Sequence, residues 1–409
     1  MVRKGFDCYS KAIFHDVHLT LDECYFVGMV MVWIGFFFTS LAFIFTCAFR
    51  SGVNRLLTVT YVVFCACIFT SVYVNGIDWV NYYYVFDGFK TEFSLQYDLL
   101  FNIYLYAVAN LSGSFPLAVF IFYLASLYIA FRALKNSSLN VNIPAALLAI
   151  SLLGGMALVM DQIRQFAAVV ICFYSLNYVI DKRFKPFIAS VLIASLFHYS
   201  AVVALVFWYA YNSGRKPLII KGAWLTACMV FIGGIVLTNP SLLYSIPLVG
   251  AELARKASLY SESISGVGFG VGVVADIILI TYYCIRRNDD AYAGIWKILF
   301  IFACMHIGIY FIPAFSRFYY YMFVPLSFLF GHTLSTCRKP ISAYDSISIV
   351  SVVIFISLIV TVKSFDDEKR PGFMEYRTDW VFADERYIDM IRSERCGELN
   401  SILDYFCTR

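Results

Sequence analysis

The sequence predicts an all-α, polytopic transmembrane helical bundle, with about ten full spans and one re-entrant helix hairpin. Three observations lead there. The chain is 61% hydrophobic and 14% charged, with a mean hydropathy of +0.75, whereas a soluble domain is about 45–50% apolar and about 25% charged. Mostly apolar stretches near the length of a bilayer crossing, about 20 residues, recur along it. Basic residues cluster in alternate loops between those stretches, as cytoplasmic loops require.

The spans in order are Phe26–Phe49, Leu56–Val74, Phe115–Leu134, Ile143–Met160 and Phe166–Ile180. Leu218–Leu237, Gly268–Ile285, Ile295–Phe315, Phe318–Thr336 and Ser346–Val362 follow. The basic loops hold Arg50/Arg55, Arg132/Lys135, Lys182/Arg183/Lys185, Arg215/Lys216/Lys221, Arg286/Arg287 and Arg338/Lys339. With all of them cytoplasmic, the N-terminus is outside. The stretch 186–211 then has cytoplasmic clusters on both sides, so it must enter and return. Its middle, Leu196-Phe197-His198-Tyr199-Ser200, is the expected break, and non-helical backbone at depth needs a protein-lined cavity. The stretch 93–111 must likewise not cross, and reads as an amphipathic or re-entrant segment on the outer side. Residues 26–362 therefore form the membrane unit. Residues 1–25 form an outer segment without the pattern of a cleaved leader, and 363–409 an outer tail of short helices.

The twelve cysteines contain no CxxC pair. Cys8, Cys24, Cys396 and Cys407 lie outside the apolar runs, as disulfides in an oxidising compartment or as free thiols. A net charge of +4 is too small and dispersed for nucleic acid. No HExxH, zinc spacing, nucleotide fingerprint or DxD-like pair in the early outer loops is present, so neither metal nor cofactor is expected.

Ionisable groups near the spans are the candidates, since each costs roughly 2.5–3.5 kcal/mol at the bilayer centre. Arg164 lies in Asp161-Gln162-Ile163-Arg164-Gln165 at an outer boundary. The plain reading pairs it with Asp161 at i, i+3; the functional one aims its donor fork at phosphate oxygens. His198, at the hairpin break, is either a satisfied core residue or a general base, its ordinary pKa being about 6.5. Arg317 follows Pro313-Ala314-Phe315-Ser316 at the outer end of a span, held by an anion or snorkelling to headgroups. Asp78, in Gly76-Ile77-Asp78 ahead of Asn81-Tyr82-Tyr83-Tyr84, reads as a ligand for sugar hydroxyls or as the cap of a helix starting at Trp79. Arg255, with Lys256 and Tyr260, would meet a diphosphate or anionic lipid. Asp276 and His306 fall within spans and read as packing or hydrogen-bonding residues.

The order of these motifs resembles the EpsG-like branch of the Wzy-type O-antigen and exopolysaccharide polymerases. The matching elements are Gly76-Ile77-Asp78 with Tyr82, Ile163-Arg164-Gln165-Phe166-Ala167, Phe197-His198-Tyr199-Ser200-Ala201 and Arg317-Phe318-Tyr319-Tyr320. The likeness spans roughly residues 26–335. It implies a GT-C-like membrane glycosyltransferase of the bacterial inner membrane with a periplasmic active site. Such an enzyme passes a growing glycan from undecaprenyl diphosphate to the non-reducing end of a lipid-linked repeat unit, without metal and with inversion. Arg164, Arg317 and Arg255 would bind the diphosphate, and His198 would take the acceptor proton. Asp78 would position the acceptor or orient the base, with Tyr82, Gln165 and Tyr320 placing substrate. A chain-length regulator is an implied partner. The competing classes are a lipid-linked glycan flippase, which would move units without lengthening them, and a membrane acyltransferase, whose histidine would open to the cytoplasm.

Overall fold

The computed structural model describes residues 21–49, 54–76, 78–238, 241, 271–286, 292–309, 313–335, 343–364, 388–393 and 396–397. Every regular element among them is helical. In order they are α1 (Leu21–Phe49), α2 (Asn54–Val72), α3 (Trp79–Gly88), α4 (Leu99–Ser112), α5 (Phe115–Lys135), α6 (Ile143–Met156), α7 (Ile163–Ile180), α8 (Phe184–Phe197) and α9 (Leu205–Asn212). Then come α10 (Arg215–Thr238), α11 (Val271–Ile285), α12 (Ala293–Ile309), α13 (Phe323–Thr333) and α14 (Ala343–Ser364). Three described helices are long and apolar enough to cross a bilayer: Arg55–Val72, Phe115–Lys135 and Ile163–Ile180. The chain is a helical membrane protein.

Local chemistry explains the helix ends. Ser114 caps α5 by accepting from the Leu117 N–H, Pro116 sits in its first turn, and Arg132 and Lys135 complement its C-terminal dipole. Gly113, at φ 66°, makes the tight turn from α4 that a side chain would strain. Helix α7 is the centre of the bundle, with 78% of its residues buried. It packs against α5, α8 and α13.

The stretch 186–211 turns back as expected. Helix α8 stops at Phe197, His198 is extended at φ −157° and ψ 118°, and a 3₁₀ helix, Tyr199–Ala204, leads into α9. Phe184 and Phe187, at the start of α8, meet Trp208 in the middle of α9 at 4.9 and 5.5 Å between ring centres. The two arms therefore lie antiparallel. The 14 residues of α8 extend about 21 Å at 1.5 Å each, short of a hydrocarbon core of about 30 Å.

Helix α4 is one-sided. It buries Phe101, Asn102, Leu105 and Ala109 and exposes Leu99, Ile103, Tyr106 and Leu111. Two expected spans prove discontinuous. Helix α6 breaks at Gly155 (φ 56°, ψ −163°) and unwinds into a π turn, Ala157–Asp161. The stretch 318–336 opens in a 3₁₀ helix, Pro313–Met322, so α13 begins only at Phe323. Its tyrosines are drawn to different neighbours: Tyr319 stacks on His306, and Tyr321 bonds to Ser200.

The end of the bundle opposite these breaks is tied by charge. Arg286 pairs with buried Asp345 at 2.8 Å, and Tyr282 donates to the same carboxylate. Arg215 donates to the carbonyls of Tyr283 and Cys284. At the broken end, the tail segment 388–393 covers α3. Tyr83 donates to Asp389 at 2.9 Å, and Arg392 lies over the rings of Tyr83 and Tyr84. Cys396 is disulfide-bonded. The side chains of Cys8, Cys24 and Cys407 lie outside the described residues.

Candidate active site

Four backbone interruptions meet at one end of the bundle, and each delivers one side chain to a common cleft. The first follows α2. A 3₁₀ turn, Tyr73–Asn75, leads to Gly76, which lies against the Met160 carbonyl so closely that a Cβ would come within 2.6 Å of its oxygen. That approach seats Asp78 beside the π turn, where its N–H donates to Asp161 Oδ1 at 2.7 Å. Helix α3 does begin at Trp79, yet the Asp78 carboxylate makes no capping bond. Its Oδ2 accepts from Tyr82 OH at 3.2 Å instead.

The second interruption is the π turn itself, which aims the start of α7. Arg164 does not pair with Asp161 there. Its Nη1 reaches Asp98 Oδ2 at 2.7 Å and its Nε donates to Tyr82 OH at 3.3 Å. The guanidinium lies 4.4 Å from the ring centre of Tyr97, a stacking that Arg makes well. Loss of the α-helical repeat between 157 and 161 removes the one-face geometry on which an i, i+3 pair depends.

His198 is the third element. Its Nδ1 lies 2.6 Å from Ser200 Oγ, which in turn reaches Tyr321 OH at 3.0 Å. Arg317, on the 3₁₀ helix before α13, is the fourth. Its Nη1 stands 3.5 Å from His198 Nε2. Its carbonyl accepts from Gln165 Nε2 at 2.6 Å. Among the described residues no carboxylate lies within ion-pair distance of Arg317.

The resulting cleft is lined by Asp78, Tyr82, Gln162, Arg164, Gln165, His198 and Arg317. Six of the eight residues singled out from sequence thus converge. Tyr320 is not among the lining residues; it packs on Phe323, and Tyr321 is the residue that turns inward. Arg255 lies outside the described residues. Gln162 and Gln165 each carry a buried amide oxygen without a hydrogen-bond partner, and Gln165 is fully buried.

Sequence reading missed Asp98. Its Oδ2 holds Arg164 while its Oδ1 accepts the N–H of Tyr199, next to His198. One carboxylate therefore orients a cation and the hairpin break together. The available signal was an acidic residue directly before an apolar, helix-forming stretch. Asp98→Ala is expected to destabilise the protein by about 1–3 kcal/mol, the cost of orphaning a buried partner. A melting midpoint equal to wild type in the same detergent would refute the clip.

Burial raises the Asp98 carboxyl above its ordinary range despite Arg164. Burial first, and the charge of Asp161 second, push Asp78 up to about 7, with Arg317 and Arg164 acting in the opposite sense. The sign follows from linkage. With its folded pKa above the ordinary 3.8, Asp78 contributes stability that is present at low pH and lost as pH rises through about 7. Asp78→Asn is therefore expected to melt above wild type at pH ~8 and together with it at acid pH. Coincident midpoints at both would show that the carboxylate is not strained.

Fold and cleft define a helical membrane protein with a two-arginine, one-histidine centre at one end of the bundle. A family model described as the EpsG family matches residues 56–378, and the chain belongs to that family. No curated protein and no solved structure matches the chain. Membership identifies a polymerase-like membrane protein of polysaccharide biosynthesis.

Proposed function

We propose that the chain is a surface-polysaccharide polymerase, which transfers a growing glycan from undecaprenyl diphosphate to the non-reducing end of a lipid-linked repeat unit. The observation that carries this reading is the meeting of Arg164, Arg317 and His198, from three distant segments, in one cleft. A diphosphate is already a good leaving group. It needs positive charge as it departs, and the acceptor hydroxyl needs a base. In the proposed step the acceptor oxygen attacks the anomeric carbon and the bond from that carbon to the diphosphate breaks. The leaving group keeps the electron pair beside Arg164 and Arg317. His198 Nε2 takes the hydroxyl proton, and attack opposite the leaving group inverts the anomeric centre. Nδ1 accepts the Ser200 N–H and lies beside Ser200 Oγ, and together these hold the ring with Nε2 toward Arg317. Asp78 and the free oxygens of Gln162 and Gln165 accept from acceptor hydroxyls. No step is assigned to a metal.

Sidedness draws support from the tail. The segment 388–393 rests on α3 at the cleft end, Cys396 close behind it is disulfide-bonded, and disulfides persist in oxidising compartments. That agrees with a cleft open to the periplasm, in a GT-C-like bundle of about ten spans embedded in the inner membrane. Residues 26–362 would form the membrane unit, with outer segments before and after it. A chain-length regulator would bind the same face.

The test is reconstitution in proteoliposomes with purified lipid-linked repeat units. Lengthened glycan on the lipid carrier supports polymerase. Units that change leaflet without lengthening would reject it in favour of a flippase.

A further inference from the structure

The C-terminal tail reaches the cleft through one short helix. Helix α3 has 10 residues, fewer than the roughly 12–15 below which an isolated helix is marginal in water. Asp78 makes no side-chain cap at its start, and Phe89, not glycine, closes its end. Its position therefore depends on packing. Two adjacent tyrosines of α3 face different ways. Tyr82 lines the cleft, where its OH meets Asp78 and Arg164. Tyr83 is buried under the tail, and its OH donates to Asp389 at 2.9 Å. The segment 388–393 is helical, and its residues divide at i, i+3 spacing. Ile388 and Ile391 are buried. Asp389 and Arg392 address α3: the carboxylate accepts from Tyr83, and the guanidinium lies 5.6 Å from the ring centres of both Tyr83 and Tyr84. Four residues after Arg392, Cys396 is disulfide-bonded. This whole segment lies beyond the residues that match the family.

We infer that the tail around residues 388–396 is a disulfide-tethered clasp, in which Asp389 and Arg392 position the cleft through Tyr83 of α3. Both are positioning residues, since neither lines the cleft. A short segment loses conformational entropy at every residue it orders, and one hydrogen bond with one cation–π contact offsets little of that on α3. The tether lowers the cost, because a crosslink keeps the released segment close to its docking place. Docked, the clasp fixes the side of α3 that turns away from the cleft. Tyr82, next in the chain, then keeps its place between Asp78 Oδ2 and Arg164 Nε. Released, α3 keeps only its aromatic contacts with neighbouring helices, such as those of Tyr82 with Phe101 and Tyr83 with Phe115. Asp78, Tyr82 and Arg164 all line the cleft, so a loosened α3 changes how the cleft holds an anion. The effect on glycan lengthening rests on the polymerase reading; the clasp does not.

The experiment is peptide-resolved hydrogen exchange on the full-length protein in nanodiscs, with and without a water-soluble phosphine. The phosphine takes the disulfide to two thiols and becomes its oxide, with water supplying the oxygen and both hydrogens. Reduction is expected to speed exchange about tenfold in 388–393 and several-fold in 79–88, while 293–309 stays unchanged. Cys396→Ser without phosphine should give the same pattern. With the tether intact, Asp389→Ala should speed exchange in 79–88, and Asp389→Asn, which keeps an acceptor oxygen for Tyr83, should restore the wild-type rate. Faster exchange confined to the tail, faster exchange across the whole bundle, or no change on reduction overturns the inference, and no variant has to fold for that result. An Asp389→Ala protein that exchanges like wild type in 79–88 overturns the positioning role. Lengthening of lipid-linked units by the reduced protein should fall in step with exchange in 79–88, and an unchanged rate with a loosened α3 counts against the clasp as well. A wild-type protein that never lengthens units ends the polymerase reading alone, and the exchange result still decides the clasp.

Discussion

Arg317→Ala is expected to abolish polymer while the protein still inserts at wild-type levels. The structural role of residue 317 lies in its backbone, whose carbonyl accepts from Gln165. That bond survives truncation of the side chain. Among the described residues the guanidinium has no carboxylate within ion-pair reach, so its removal orphans no described anion. In the proposed reaction, what is lost is a charge facing the departing diphosphate. Loss of one well-placed electrostatic stabiliser costs roughly 10²–10³-fold in rate. Arg317→Lys should recover only part of it, because a point charge cannot reproduce the two-pronged donor geometry. The measurement is the ladder of polymer lengths on a gel from cells carrying each variant. A wild-type ladder from Arg317→Ala would remove the residue from the chemistry.

His198→Gln is expected to cost roughly 10²–10⁴-fold, the usual worth of a positioned base. Glutamine keeps a polar side chain at the hairpin break but cannot carry the acceptor proton. The backbone turn also draws on Asp98, which holds the Tyr199 N–H, so the break should persist. Ser200→Ala should cost less, since the backbone N–H of residue 200 still holds Nδ1 after the hydroxyl is gone. If purified His198→Gln lengthens lipid-linked units at the wild-type rate, another group takes the proton. Asp78, which also lines the cleft, is then the next residue to test.

The fold class and much of the cleft were legible because membranes make polar groups expensive. Loop charge alone required 186–211 to turn back, and that put His198 at a break before any geometry was known. Arg317 stood out for the same reason, as a cation at a span end that the loop charges predict to face outward. Pairings were less legible. Asp161 and Arg164 seemed partners because a helical period was assumed across them, and the π turn abolishes that period. Asp98 was hidden because it lies far from Arg164 in sequence, and proximity of that kind is created by packing. Tyr320 and Tyr321 could not be told apart, since a 3₁₀ helix rotates each residue differently from an α-helix. Asp276 and His306 hydrogen-bond to each other, yet they were visible only as two separate polar residues, with nothing linear to connect α11 to α12.

The cleft is built at interruptions of the helices, and that has an evolutionary consequence. Positions that face lipid need only remain apolar and fit a bilayer, so leucine, phenylalanine or valine can replace one another there with little penalty. Selection on chemistry falls instead on a handful of islands near residues 76–82, 97–98, 161–165, 197–201 and 317–321. Related chains should drift almost freely between those islands, while insertions of even one residue inside them are eliminated.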